Sequence, residues 1–189
     1  MRNSLNPSPP PQLHIYTGDG KGKTSCAIGL AARAVGAGLT VDWIAFDKGY
    51  AGDEHYSERP ILRALPGVWF ESTGVERMRP GQKFRFGVTA EDEAEAQRGL
   101  KLARERLTEG TADLLVLDEI LSACTYRLLS AESIMEMIAI FLQSRPRELV
   151  LTGRGATMEM IEAADLVTEM VFRKHYFTSG VAARKGIDF

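Results

Sequence analysis

The chain has 189 residues, of which 44% are hydrophobic and 25% charged, and its formal net charge is −2. This is the composition of one ordinary globular domain, and it argues against a dominant nucleic-acid-binding surface. Two cysteines and three scattered histidines exclude a disulfide scaffold and make a zinc site improbable, and no apolar run is long enough to cross a membrane, so a cytoplasmic protein is expected.

Residues 1–11 hold four of the eight prolines, which predicts a disordered or extended arm. Residues 12–189 are predicted to form one domain in which strand and helix patterns alternate. Strands are predicted at 12–17, 41–46, 68–71, 114–117, 148–151 and 167–172, and helices at 23–37 and 61–65, after Thr89 and after Ser130. This order indicates an α/β fold with a mostly parallel sheet and helices on both faces, in which ligands bind at the carboxyl ends of the strands.

The first predicted strand runs into a glycine-rich segment, TGDGKGKT at residues 17–24, which we call the phosphate loop. Glycines let backbone amides converge on one point, and a helix start adds N–H groups without intrahelical partners, so the segment predicts phosphate binding. Lys23 supplies a positive charge, and Thr24 supplies a hydroxyl for Mg²⁺. The strict pattern has glycine where Thr17 stands, so the first glycine is shifted to Gly18. The alternative is a tight glycine turn that binds nothing.

The all-apolar strand at 114–117 ends in Asp118 and Glu119. Carboxylates in this place bind Mg²⁺ directly or through water, and in an ATPase the second acid can polarise the attacking water. Together with the phosphate loop they predict a site for a magnesium nucleotide. The alternative is that both acids only cap the next helix.

Arg154 lies between two glycines after the strand at 148–151, where it can contact a phosphate or a nucleotide. The alternative is a solvated arginine in a turn. The long stretch at 72–88 carries four basic residues, which either close over phosphates or stay in a solvated loop. Cys26, on the first helix, is predicted to be a small core residue rather than a nucleophile.

Six stretches of the sequence are similar to one known family. They are YTGDGKGKT at 16–24, AARAVG at 31–36, FDKG at 46–49, VLDE at 116–119, LTGRG at 151–155 and KHYFTSGVAARKGIDF at 174–189. On these stretches the chain resembles the ATP:corrinoid adenosyltransferases of cobalamin synthesis and salvage, of the type with a phosphate loop. The shifted loop and the GIDF ending are more specific than a general nucleotide motif.

The resemblance implies a RecA-like P-loop fold and a homodimer. It also implies a reaction in which the 5′-deoxyadenosyl group of ATP passes to the Co(I) of a corrinoid and tripolyphosphate is released. ATP is then a cosubstrate used with Mg²⁺, the corrinoid is the second substrate, and a flavoprotein is a candidate reductant. Neither a nucleic acid nor a membrane is expected as a partner.

The resemblance also implies roles for single residues. Lys23, Thr24 and Glu119 carry the catalysis, Thr24 and Glu119 hold Mg²⁺ with Asp118 outside them, and Arg154 contacts the nucleotide. The triphosphate is held by Gly18, Asp19, Gly20, Lys21, Gly22, Lys23 and Thr24. No side chain needs to act as a general base, because the nucleophile is the metal of the substrate.

The chain departs from the family pattern at two places. Asp19 stands where the best-known members have asparagine, and Lys21 is the expected partner that would offset its charge. Gly74 is followed by Val75-Glu76-Arg77, where those members have Phe-Thr-Trp.

Two other classes of function remain open at this point. One is a P-loop ATPase or small-molecule kinase, which Asp118, Glu119 and the basic loop permit. The other is a non-catalytic protein that binds a corrinoid in an ATP-dependent manner.

Overall fold

The computed structural model describes residues 9–49, 55–76, 85 and 87–189. Strands and helices alternate along this part of the chain. The elements are β1 (Leu13–Thr17), α1 (Lys23–Gly36), β2 (Val41–Ala45), α2 (Glu58–Ala64), β3 (Val68–Ser72), α3 (Ala90–Thr108), β4 (Leu114–Asp118), α4 (Ile120–Thr125), α5 (Ala131–Ser144), β5 (Glu148–Thr152), α6 (Met158–Ala163), β6 (Leu166–Glu169) and a short 3-10 helix at Tyr176–Ser179.

The strands form one six-stranded sheet in the order β3-β2-β4-β5-β1-β6, and every strand pair is parallel. The predicted parallel α/β sheet is therefore confirmed. Because β5 lies between β1 and β4, the carboxyl ends of these three strands meet at one edge. That edge carries Thr17, Asp118 and Thr152.

Two apolar clusters lie on the two faces of the sheet. Along β4, Leu115 and Leu117 belong to one cluster and Leu114 and Val116 to the other, as the alternation of strand side chains requires. Helices α3, α4, α5 and α6 pack in the first cluster, and α1 and α2 in the second. The prediction of helices on both faces is thus confirmed.

The predicted helix starts at Thr89 and Ser130 are confirmed. Thr89 and Asp92 form a reciprocal capping box at the start of α3, and the Ser130 hydroxyl accepts from the Ser133 N–H at the start of α5. Several details differ from the sequence patterns: α2 begins earlier than expected, β6 ends at Glu169, and α4, α6 and the 3-10 helix are not predicted at all. These elements are short, and tertiary contacts rather than periodicity decide them.

Two expectations fall partly outside the described residues, and a third, that Cys26 is a core residue, is wrong. Of the proline-rich arm, residues 1–8 are not described, and of the basic loop residues 77–84 and 86 are not. Arg85 is described, and its guanidinium forms a 2.7 Å ion pair with Asp92 in α3. Cys26 is exposed, because the buried stripe of α1 runs through Ala27 and Ala31. Within the described ranges, no helix is both long and apolar enough to span a bilayer.

Candidate functional site

A cavity of about 810 Å³ opens at the carboxyl edge of the sheet. Its floor is the phosphate loop and the residues after β2 and β4, and one wall is the segment at residues 172–189, which we call the C-terminal segment. The cavity gathers most of the predicted site residues, namely Asp19, Gly20, Lys21, Gly22, Lys23, Thr24, Glu119 and Arg154. Gly18 and Asp118 lie beneath this lining and are bonded to it.

The phosphate loop is fixed by close backbone contacts. Gly18 and Gly22 have φ of 95° and 122°, a left-handed conformation that other residues rarely adopt. The Gly20 N–H donates to the Met170 carbonyl at 2.6 Å, and a Cβ on Gly20 would lie 2.6 Å from the same oxygen. The amide of Gly20 is therefore bonded to the chain after β6 and not directed at the cavity.

The start of α1 supplies donors for an anion. This helix has no side-chain cap, and its N-cap residue is Gly22. The N–H groups of a first helical turn have no intrahelical partner, and together with the helix dipole they attract a phosphate. Because α1 begins in the lining of the cavity at Lys23, Thr24 and Ser25, these donors are placed for a phosphate there.

The ammonium of Lys23 is bonded to the phosphate loop itself. Its side chain is buried, and its ammonium donates to the carbonyls of Gly18 at 2.7 Å and Gly20 at 2.8 Å. Burial, and then the charge of Arg154, lower the pKa of this ammonium. A cation on neutral carbonyls gains strongly by moving to a phosphate, since charge-assisted bonds are the stronger ones.

Asp118 is the centre of a buried polar network. Its Oδ1 accepts from the Thr24 hydroxyl at 3.0 Å and from the Thr152 hydroxyl at 2.7 Å, and its Oδ2 accepts from the Lys48 ammonium at 2.5 Å. Burial opposes the charge on Lys48, but the carboxylates of Asp118 and Glu58 outweigh it and raise the pKa of Lys48. The network joins the ends of β4 and β5 to the start of α1.

Glu119 follows Asp118 in a left-handed conformation, with φ of 63°. Its N–H donates to the Thr152 hydroxyl at 2.9 Å, and its side chain lines the cavity. The turn therefore separates the two acids: Asp118 is buried in the network while Glu119 faces the cavity.

The donor set fits Mg²⁺ that arrives with a nucleotide. Within the described residues, no three His, Cys, Asp or Glu side chains are grouped to hold a metal ion by themselves. Mg²⁺ is usually bound through one or two carboxylates together with substrate phosphates and water, and it prefers oxygen ligands. The Thr24 hydroxyl, Asp118 and Glu119 supply such oxygens beside the phosphate loop, so the residues fit this ion.

Asp19 and Lys21 are not paired with each other, so that expectation is wrong. The Lys21 ammonium instead donates to the Tyr176 hydroxyl at 2.9 Å, to the Ile187 carbonyl at 2.5 Å and to the Asp188 carboxylate. The C-terminal segment thus offers Lys21 three acceptors at once. Asp19 is highly exposed, and its carboxylate lies 3.9 Å from Arg154 Nε.

The C-terminal segment is also tied to the start of α2. The Ser57 hydroxyl donates to the Phe189 carbonyl at 2.9 Å, and the Phe189 ring stacks on His55 with 4.8 Å between ring centroids. The site patterns in the sequence do not single out Lys48, Tyr176 or Asp188. The signal that could have found them is their place inside the FDKG and KHYFTSGVAARKGIDF stretches that carry the family resemblance.

Comparisons with known proteins agree on one family. Residues 10–189 match the family described as ATP:corrinoid adenosyltransferase BtuR/CobO/CobP. The corrinoid adenosyltransferase of Pseudomonas aeruginosa is 37% identical, over 94% of this chain and 83% of that protein. The corrinoid adenosyltransferase of Escherichia coli K12 is 33% identical, over 93% of this chain and 84% of that protein.

A solved structure supports the fold. A KaiC-like protein of the archaeon Pyrococcus horikoshii superposes with a TM-score of 0.53, covering 85% of this chain and 74% of its own, at 16% sequence identity. At this identity the likeness concerns the fold alone, which is the RecA-like P-loop fold expected from the sequence.

Proposed function

This chain belongs to the ATP:corrinoid adenosyltransferase family, and from that membership we propose that it transfers the 5′-deoxyadenosyl group of ATP to the Co(I) of a corrinoid and releases tripolyphosphate. The place of this reaction is adenosylcobalamin biosynthesis or salvage. The observation that carries the proposal is the composition of the cavity: a phosphate-binding floor beneath exposed apolar side chains. The latter are Ile61, Tyr126, Phe177 and Ile187.

That combination suits two cosubstrates better than ATP and water. A triphosphate needs the loop, the α1 N-terminus and Lys23, whereas the apolar side chains offer contact area to a large macrocycle. An ATPase or kinase needs no such apolar rim, and a non-catalytic binding protein is not favoured by relatives that are named as transferases.

The reaction asks the phosphate loop to hold a leaving group. Co(I) attacks C5′ of the ribose in line, the cobalt–carbon bond forms, and the C5′–O5′ bond breaks with its electron pair passing to the triphosphate. Lys23 and the amides at the start of α1 stabilise the charge that develops there, while Arg154 contacts the nucleotide. Mg²⁺, when bound, offsets negative charge on the triphosphate.

The remaining site assignments are part of the proposal. Thr24 and Glu119 face Mg²⁺, and Asp118 acts from outside them; the contact between Thr24 and Asp118 supports this order. The triphosphate is cradled by residues 18–24, with the contribution of Gly20 and Lys21 made through loop shape, because their N–H and ammonium are bonded elsewhere.

Four further points belong to the proposal. The family resemblance supports a homodimer and a flavoprotein as the reductant of the corrinoid. The composition of the sequence supports a cytoplasmic location and a domain at residues 12–189 preceded by a proline-rich arm at 1–11. None of them changes the roles assigned to the cavity.

The test is identification of products by mass after incubation of the protein with MgATP and chemically reduced cobalamin. Adenosylcobalamin and tripolyphosphate are expected in equal amounts, and neither without the reductant. Formation of only ADP and phosphate at saturating Co(I) corrinoid would contradict the proposal. Tight binding of both ligands without turnover would indicate a binding protein instead.

A further inference from the structure

Lys48 is a buried cation in the cavity that the phosphate-loop chemistry does not account for. It follows β2, and its side chain is only 11% exposed. Its ammonium lies 2.5 Å from Asp118 Oδ2 and 3.4 Å from Glu58 Oε1, and 5.3 Å from the centre of the Tyr56 ring. A lysine held by two carboxylates and an aromatic face has one defined position.

The backbone around Lys48 is built to hold that position. Asp47, immediately before it, has φ of 49°, a left-handed conformation that turns the chain at the end of β2. The Lys48 N–H donates to the Thr73 carbonyl at 2.9 Å, and the guanidinium of buried Arg59 donates to the Lys48 carbonyl. Both the backbone N–H and the backbone carbonyl of Lys48 are therefore hydrogen-bonded before any ligand binds.

The two carboxylate oxygens of Asp118 accept hydrogen bonds from different groups. Oδ2 accepts from Lys48, while Oδ1 accepts from Thr24 and Thr152. If Lys48 were absent, a fully buried carboxylate would lose its cation, and its rotation about χ2 would no longer be fixed by a charge on one side.

We propose that Lys48 is a positioning residue for adenosyl transfer. By holding Asp118 Oδ2, it keeps Asp118 Oδ1 bonded to the Thr24 hydroxyl, and so it fixes the positions of Oδ1 and of the Thr24 hydroxyl oxygen beside the bound magnesium triphosphate. This inference rests on the proposed function, because it assumes that a triphosphate is the bound group. Lys48 acts on the ligand through Asp118 and not by contact with a phosphate.

The first measurement is calorimetric binding of magnesium tripolyphosphate to the full chain and to Lys48→Met. The variant is expected to bind at least about 10-fold more weakly, which is the usual loss for residues that orient metal ligands. Lys101→Met is the matched control, since this lysine is 80% exposed on α3, and its affinity is expected to stay unchanged. Unchanged binding by Lys48→Met would overturn the proposal.

The second measurement separates action through Asp118 from direct contact with phosphate. In an Asp118→Asn background, which removes the carboxylate through which Lys48 is proposed to act, adding Lys48→Met is expected to change the affinity by less than about threefold. A further 10-fold loss there would show a direct contact and overturn the proposal. This pair also covers the case in which Lys48→Met alone does not fold, because removal of both charges leaves neither one buried and unpaired.

The conservative variant gives an independent readout. Lys48→Arg keeps the charge beside Asp118 and is expected to retain most of the tripolyphosphate affinity that Lys48→Met loses. An arginine variant as weak as the methionine variant would contradict an electrostatic role. Failure of the proposed function has a different signature: the unaltered protein would then yield no adenosylated corrinoid, whatever the Lys48 variants bind.

Discussion

Lys21 and Asp188 form an ion pair that joins the phosphate loop to the C-terminal segment. The same ammonium contacts the Tyr176 hydroxyl and the Ile187 carbonyl, and its bond to Asp188 is the main reason that the pKa of this carboxyl lies far below its ordinary value. The floor and one wall of the cavity are thereby connected. The ammonium of Lys21, although it lies in the loop, is thus bonded to the C-terminal segment.

Asp188→Asn tests whether this connection matters for the nucleotide. The substitution removes the charge that holds Lys21, so the wall loosens from the loop, and ATP affinity is expected to fall about two- to fivefold, the size of an exposed pair's coupling. Titration calorimetry with MgATP measures it. Glu159→Gln, an exposed carboxylate on α6, is the control. Equal affinity in Asp188→Asn and the unaltered protein would show that the wall does not act on the loop.

Lys23→Ala tests the central role of the phosphate loop. Adenosyl transfer is expected to fall about 100-fold or more, because a preorganised charge at the leaving group is lost. The fold should hold, since Lys23 bonds only carbonyls of its own loop among the contacts described for its ammonium. Product formation is compared with thermal melting followed by circular dichroism. A variant that simply unfolds would weaken the assignment.

Gly20→Ala tests the close approach between the phosphate loop and the chain after β6. The added methyl would lie 2.6 Å from the Met170 carbonyl oxygen, so a destabilisation of about 1–3 kcal/mol and weaker ATP binding are expected. Gly29→Ala is the matched control on α1, where an added Cβ would have no atom within 4 Å apart from its chain neighbours and the backbone of its own helix, and it is expected to stabilise the protein by up to about 1 kcal/mol. Chemical denaturation measures both. Similar stabilities of the two variants would contradict the steric argument.

Asp42 gives a prediction about pH. This carboxyl is buried on β2, and burial raises its pKa above the ordinary 3.8 despite the charges of Arg106 and Arg147. A raised folded-state pKa means that the folded protein holds the proton more tightly than the unfolded chain. The stability from Asp42 is therefore fully present below pH 3.8 and is lost as the pH rises through the folded-state pKa.

Asp42→Asn removes this ionisation. The melting temperature of the variant, relative to the unaltered protein, is expected to increase from acid to neutral pH, because the unaltered protein alone must charge a buried carboxyl. Differential scanning calorimetry across this range measures the difference. A difference that is constant with pH, or that shrinks toward neutrality, would contradict the argument.

Much of the fold could be predicted because its signals are local. The apolar run at residues 114–117 identifies a strand buried on both faces, and Thr89 identifies a helix start through a bond to a residue three positions away. Short elements such as α6 have no such signal, since six residues cover fewer than two helical turns and the apolar spacing cannot repeat. Cys26 shows the same limit: one step along α1 separates the buried stripe from solvent.

The residues of the phosphate loop and the acids after β4 could be predicted from the sequence, because their residue types and spacing indicate a nucleotide site. The long-range bonds of the site could not be predicted. The bonds from Lys48 to Asp118 and from Lys21 to Asp188 join residues far apart in the chain, and their pairing depends on sheet order and on the path of the C-terminal segment. Asp19 illustrates the consequence, because the cation nearest to it in sequence is bonded elsewhere.

The position of β1 between β5 and β6 has a consequence for how the protein is made. Of the six strands described, β1 is synthesised first, yet its partners β5 and β6 are the last two along the chain. At ordinary rates of translation, the time between the synthesis of β1 and that of β5 is on the order of ten seconds. A nascent chain that stops before β5 therefore leaves both edges of β1 without their partner strands.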